Sequence, residues 1–376
     1  MLARFSVKNY RSFKDELILD FTNTRDYQFN TDCILNGCVG KMIIYGRNGT
    51  GKTNLGRALQ DIWRTLFFPI QIGQLGGDSS FLNADSAESE ANFRYNFAFD
   101  GKKVEYCYKK NRERALTFES LQIDGHTVFS YDHVQNCLNK NDLSSIGCET
   151  LSDKKFLLGK NDNELAGAFL SWIFNNSAMD GKSLIGQLYK FVREMRVLHL
   201  TEERVRNSYN VFLSEEGSLN RMESFFNAMG VPCSLVVGKT PDGSRELYYE
   251  YSNGLVRFEE AASSGARELY KLYTEIFLFE KTAPSFLFLD EFDAYYHYEM
   301  SEKLVKYLIE NYPHTQIVLT SHNTNLISNS LLRPDCYMIL SQDGRLTPLC
   351  DATNRELREG HNLEKMYISG EFERYE

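Results

Sequence analysis

The chain has 376 residues, of which 42% are hydrophobic and 25% charged, enough for one large α/β domain with an insertion or for two domains. Its net charge of −9 excludes indiscriminate coating of nucleic acid, which needs many Lys and Arg contacts to phosphates. No run of about 18 apolar residues occurs, and Met1-Leu2-Ala3-Arg4-Phe5 opens no long apolar leader, so a cytoplasmic protein without membrane association is expected.

The first segment, "RFSVKNYRSFKDELILDF", alternates apolar and polar residues on either side of a turn at 9–14 and predicts two paired strands. Met42 to Tyr45 then form an apolar run that predicts a buried strand, followed by "GRNGTGKT" and by a helix through Asn54 to Leu59. The spacing G-x-x-x-x-G-K-[ST], filled by Gly46, Gly51, Lys52 and Thr53, is a phosphate cradle. Backbone N–H groups wrap phosphate, the lysine reaches the β/γ oxygens, and the threonine hydroxyl ligates Mg²⁺. The helix N-terminus adds positive potential to the same anion site. Asn48, Gly49 and Asn54 complete the candidate loop.

A polar stretch over 71–92 reads as a loop, and short strands follow with hairpin signals at Asp100-Gly101 and Asp124-Gly125. Within them Lys102, Lys103, Lys109, Lys110, Arg112 and Arg114 read as the solvated face of a hairpin, with a nucleic-acid or partner contact as the alternative. The period becomes helical over about 163–230, through Leu165, Phe169, Trp172 and Ile173 and through Leu188, Phe191, Val192 and Met195. Strands return at "SLVVG", "ELYYEY" and "LVRFEE". The eight cysteines form no C-x-x-C pair, so reduced, mostly buried thiols are expected rather than zinc ligands or a disulfide framework.

Two further strands carry chemistry. In "SFLFLDEFDAYYH" the apolar run from Phe286 to Leu289 suits a central parallel strand, with Asp290 at its end to hold Mg²⁺ and Glu291 next to polarise water. "VLTSHNTNLI" repeats the pattern and sets His322 where an imidazole can bond the γ-phosphate. Upstream, Ser263, Ser264 and Gly265 open an amphipathic helix, a second N-terminus able to bind phosphate. One nucleotide needs one cradle per chain, so the second is expected to act across a dimer.

These motifs together resemble the ABC-type ATPases, in the branch containing RecF, the SMC proteins and the OLD (overcoming lysogenisation defect) family. The likeness runs from "FSVKNYRSF" through "GRNGTGKT", "AASSGAREL" and "FLFLDEFDAYYH" to "TSHN". It implies that Ser263 and Gly265 belong to the signature, Asp293 to the D-loop, His322 to the switch, and Arg11 to the nucleotide contacts, with ATP and Mg²⁺ as cofactors. The chain departs from the pattern at Ala262 and Ala266 of the signature, and only Gln71 and Gln74 offer themselves as the Q-loop glutamine.

The implied fold is α/β: an ABC-type P-loop ATPase head with a β-rich lobe and a helical insertion. Residues 1–160 are expected to form one half of the head with the lobe, 161–230 the insertion and 231–376 the other half. The insertion is too short for an SMC-type coiled coil, and the stretch after His322 is too short for the TOPRIM domain of OLD nucleases. The chain is then similar to the compact ATPases of bacterial anti-phage systems such as PARIS, Septu and some retron operons. That likeness implies an ATP-sandwiched homodimer or larger assembly and a separately encoded effector such as a nuclease. A RecF-like DNA repair ATPase and an ATP-dependent scaffold with little turnover are the alternatives.

Overall fold

The computed structural model describes residues 1–68, 80–151, 156, 167–177, 180–199, 217–239, 245–277 and 282–376. The chain begins with β1 (Leu2–Lys8), β2 (Leu17–Asp20), a small antiparallel pair β3 (Ile34–Leu35) and β4 (Cys38–Val39), then β5 (Lys41–Tyr45) and helix α1 (Lys52–Phe67). Five strands follow: β6 (Glu90–Phe99), β7 (Lys102–Asn111), β8 (Leu116–Ile123), β9 (His126–Asp132) and β10 (Cys137–Asn141). Next come α2 (Phe169–Asn176), α3 (Leu184–Arg193), β11 (Arg196–His199) and α4 (Ser218–Ala228). A three-stranded sheet, β12 (Leu235–Lys239), β13 (Arg245–Tyr251) and β14 (Gly254–Arg257), leads to α5 (Phe258–Ala261) and α6 (Ser264–Phe277). The chain closes with β15 (Phe286–Asp290), α7 (Tyr298–Asn311), β16 (Gln316–Ser321), β17 (Tyr337–Leu340), β18 (Leu346–Pro348) and α8 (Leu363–Ile368).

Two large sheets organise these elements. The lobe sheet is antiparallel in the order β10-β9-β8-β7-β6-β1-β2. Burial alternates along β6, with Phe93, Tyr95, Phe97 and Phe99 inward, as a sheet with one face on the core requires. The Asp100-Gly101 and Asp124-Gly125 turns close the expected hairpins, with positive φ at both central residues, the twist-matched geometry for a two-residue loop.

The second sheet runs β11-β15-β16-β5-β17-β18, parallel except for β18 at its edge. Strands β5, β15 and β16 are buried along their whole length, which is why their central residues read as continuous apolar runs rather than alternating ones. Helix α1 lays Leu55, Ala58, Leu59, Ile62 and Leu66 into the core at helical spacing; each large side chain so buried contributes roughly 1.5–3 kcal/mol. Gln316 links the sheets, accepting from Leu2 N at 3.2 Å and donating to Leu2 O at 2.9 Å.

One element departs from the expected helical run over 161–230. Strand β11 lies in that segment and pairs in parallel with β15, so the segment supplies a strand to the parallel sheet as well as helices α2, α3 and α4. All eight cysteines are free; four are buried, three are intermediate and Cys137 is exposed. Among the described residues no helix is long and apolar enough to cross a membrane.

Candidate nucleotide site

The site gathers at the C-terminal ends of β5, β15 and β16, the edge of a parallel sheet where ligands characteristically bind. Strand β5 feeds a loop in which Gly49 and Gly51 have φ of 83° and 104°. Gly51 also cannot carry a side chain, because a Cβ there would stand 2.6 Å from Ser12 Oγ and 2.9 Å from the Phe13 ring. It caps α1 without any side-chain acceptor for the first-turn N–H groups, which leaves the positive end of a 16-residue helix open to an anion.

Lys52 is buried and donates to Gly46 O at 2.8 Å and Arg47 O at 3.3 Å. Desolvation lowers its pKa, while Glu291, Asp290 and Asp293 pull the other way. Arg47 itself pairs with Glu376 at 2.8 Å. A cavity of about 170 Å³ is lined by Asn48, Gly49, Gly51, Lys52, Thr53, Asn54 and Glu291. The sequence nominated all seven.

The acidic side is built by a local hydrogen-bond chain. Thr320 Oγ1 donates to Asp290 Oδ1 at 2.8 Å and accepts from the Glu291 N–H at 2.7 Å. His199 Nδ1 lies 3.2 Å from the other oxygen, Asp290 Oδ2. Burial opposes ionisation of Asp290, but hydrogen bonds from His199, Thr53 and Thr320 outweigh it and hold the carboxyl below its ordinary value. Glu291 adopts φ of 47°, a left-handed conformation costing a non-glycine residue roughly 1–2 kcal/mol. Its side chain borders the cavity and stands 3.7 Å from His322 Nε2. Asp293 accepts from Ser321 Oγ at 2.6 Å, and burial raises its pKa.

These groups suit a Mg²⁺–nucleotide. The loop offers open N–H groups and an ammonium, and Thr53 meets Asp290 at its rim. Mg²⁺ is usually held by one or two protein oxygens together with phosphates and water, not by an all-protein cage. Among the described residues no group of three or more His, Cys, Asp or Glu is placed to hold a metal ion.

Ser263, Gly265 and Arg11, also nominated, are not among the residues that line this cavity. Ser263 is exposed and its Oγ accepts from Ala266 N at 3.2 Å, capping α6. A Cβ on Gly265 would approach Tyr295 O at 3.1 Å, so the signature-like turn packs on the segment following Glu291. Arg11 has φ of 49° and donates to Ser80 Oγ at 3.1 Å and Tyr10 OH at 3.2 Å. Its neighbour Ser12 accepts from Asn54 Nδ2 at 2.9 Å, which fixes the N-terminal turn against the phosphate loop. Gln71 and Gln74 lie outside the described residues.

The expected solvated basic face needs one correction. Lys102, Lys103 and Lys109 are exposed, but Lys110 is 4% exposed and pairs with Asp61 of α1. Register explains it, because Lys110 continues the inward-facing series of Val104, Tyr106 and Tyr108. Sequence reasoning also passed over His199, Thr320 and Ser321. The polar pair ending "VLTS" was a usable signal; "RVLH" was too short to stand out.

The family model described as "AAA domain, putative AbiEii toxin, Type IV TA system" matches residues 41–136 and 176–328, more than half of the chain. Among solved structures, the SMC head domain from Thermotoga maritima is 14% identical with a TM-score of 0.47, covering 92% of this chain and 98% of that one. The Smc head domain with an extended coiled coil bound to the C-terminal domain of ScpA, from Pyrococcus furiosus, is 12% identical with a TM-score of 0.44, covering 86% and 89%. No curated protein matches. The matched segments include both the phosphate loop and the stretch from Ser263 to His322, and the chain belongs to this AAA-domain family.

Proposed function

We propose that this chain binds ATP with Mg²⁺, hydrolyses it, dimerises around it and thereby controls a separately encoded effector, such as a nuclease, in the cytoplasm of a bacterium defending itself against phage. The observation that carries the catalytic part is the meeting of an uncapped helix N-terminus, a buried lysine and Glu291 on one cavity, with Asp290 at its edge. The family description, which names a type IV toxin–antitoxin system, supports the defence setting.

The residues divide the work as follows. Lys52 would exchange its contacts to Gly46 O and Arg47 O for phosphate oxygens, a charge-assisted replacement of neutral acceptors. Thr53 and Asp290 would hold Mg²⁺, which when bound neutralises phosphate charge. Glu291 would orient the attacking water and accept its proton, with His322 beside it to bond the γ-phosphate. Ser263 and Gly265, outside the cavity of their own chain, would meet the nucleotide of a second copy.

Turnover of the purified protein with and without DNA tests this reading. Turnover indifferent to DNA is expected. Stimulation by DNA would favour a repair ATPase, and near-zero turnover with nucleotide bound would favour a scaffold. The burial of Lys110 already removes one cation from the patch that a DNA contact would use.

A further inference from the structure

Strand β11 brings His199 into register with Asp290 of β15. The imidazole is 5% exposed, and its Nδ1 is 3.2 Å from Asp290 Oδ2. A carboxylate only accepts, so the proton of this bond sits on Nδ1. The second ring nitrogen, Nε2, is buried and meets no hydrogen-bond partner among the described residues. A buried unmet acceptor costs roughly 1–3 kcal/mol, so a residue serving packing alone would do better there as Leu or Phe.

Helix α1 packs closely on Phe288 and on this ring at Gly56. A Cβ on Gly56 would lie 2.6 Å from Phe288 Cε1 and 3.2 Å from His199 Cε1. Glycine inside a helix costs about 1 kcal/mol relative to alanine. The glycine makes room first for Phe288 and then for His199; the penalty particular to His199 is its unmet Nε2, and what the polar ring supplies is a donor to the Asp290 carboxylate.

We infer that His199 is a positioning residue: with Thr320 on one carboxylate oxygen and His199 on the other, Asp290 is fixed in the orientation that holds Mg²⁺ beside Thr53. Each oxygen gives one lone pair to one of these two donors, and the remaining lone pairs face Thr53 and would meet the ion or its waters. The inference rests on Asp290 being the Mg²⁺-holding carboxylate. Deleting a partner that orients a metal ligand typically weakens metal binding 10–100-fold.

Two substitutions separate positioning from packing. His199→Leu keeps bulk and loses the donor; His199→Asn loses bulk and can place an amide N–H where Nδ1 stood. Binding of a fluorescent ATP analogue is titrated with Mg²⁺ for both, with Asp290→Asn alongside and thermal melts recording stability. The expected result is a Mg²⁺ midpoint raised about 10-fold in His199→Leu and held near the parent value in His199→Asn, whatever the order of their melting temperatures. A Leu variant with the parent midpoint, or Leu and Asn variants that shift equally, would overturn the inference. If Asp290→Asn leaves the Mg²⁺ dependence unchanged, the Asp290 assignment itself fails, and the inference with it.

Discussion

Lys110 of β7 and Asp61 of α1 form an ion pair in the interior, with side chains 4% and 10% exposed and Lys110 Nζ 2.9 Å from Asp61 Oδ2. Tyr108 OH donates to the same carboxylate at 3.3 Å. The pair joins the antiparallel lobe to the helix that carries Lys52 and Thr53 at its start. Lys110→Met strands a buried carboxylate and should cost about 3–5 kcal/mol. Adding Asp61→Leu should recover most of that loss, because two apolar side chains can replace a buried pair at little net cost. Urea unfolding of the single and double variants checks this; equal loss in both would contradict it.

Lys52→Ala should abolish ATP binding. The ammonium rests on two backbone carbonyls and has only to change acceptors to meet phosphate, and among the described residues that line the cavity no other is a Lys or Arg. Filter binding with labelled ATP measures the loss. Unchanged affinity would remove the phosphate-loop assignment.

Lys41 begins β5, is 2% exposed, and donates to Tyr312 O at 2.8 Å. Burial lowers its pKa from 10.5 to about 8. Between these two values the unfolded chain binds more protons than the folded one, so stability rises with pH across that window. Below about pH 8 both states are protonated and the desolvation cost is fully present. The integrated gain is on the order of 3 kcal/mol. Lys41→Met should lack this rise, and parallel stability profiles of the two proteins would contradict the assignment.

What was legible in the sequence follows from locality. Gly46, Gly51, Lys52 and Thr53 share one loop, and Asp290 with Glu291 ends one apolar strand, so spacing alone nominated them. His199 acts on Asp290 across 91 positions, from a four-residue strand set between helices, too short for a period-2 signal to emerge. Lys110 was misread for a related reason. It is flanked by Lys109 and Asn111, yet it shares the inward face of its own strand with the buried Tyr106 and Tyr108 and pairs with Ala91 and Leu116 on the neighbouring strands, and pairing register is a property of the folded sheet. The lobe, by contrast, was readable because its hairpin turns declare themselves in dipeptides.

The central claim, an ATP-hydrolysing head that closes on a second copy, is tested most directly by light scattering of Glu291→Gln with ATP and Mg²⁺. The substitution keeps Asp290 and Thr53 but removes the group that accepts the proton from water. It should therefore bind ATP, turn it over very slowly and accumulate at twice the monomer mass or more, whereas Gly265→Asp should stay monomeric. In the latter a carboxylate would face the γ-phosphate of the partner's nucleotide, and its Cβ would crowd Tyr295 O at 3.1 Å. Equal mass for the two variants would contradict the claim and leave a P-loop ATPase whose Ser263–Gly265 turn only caps its own helix.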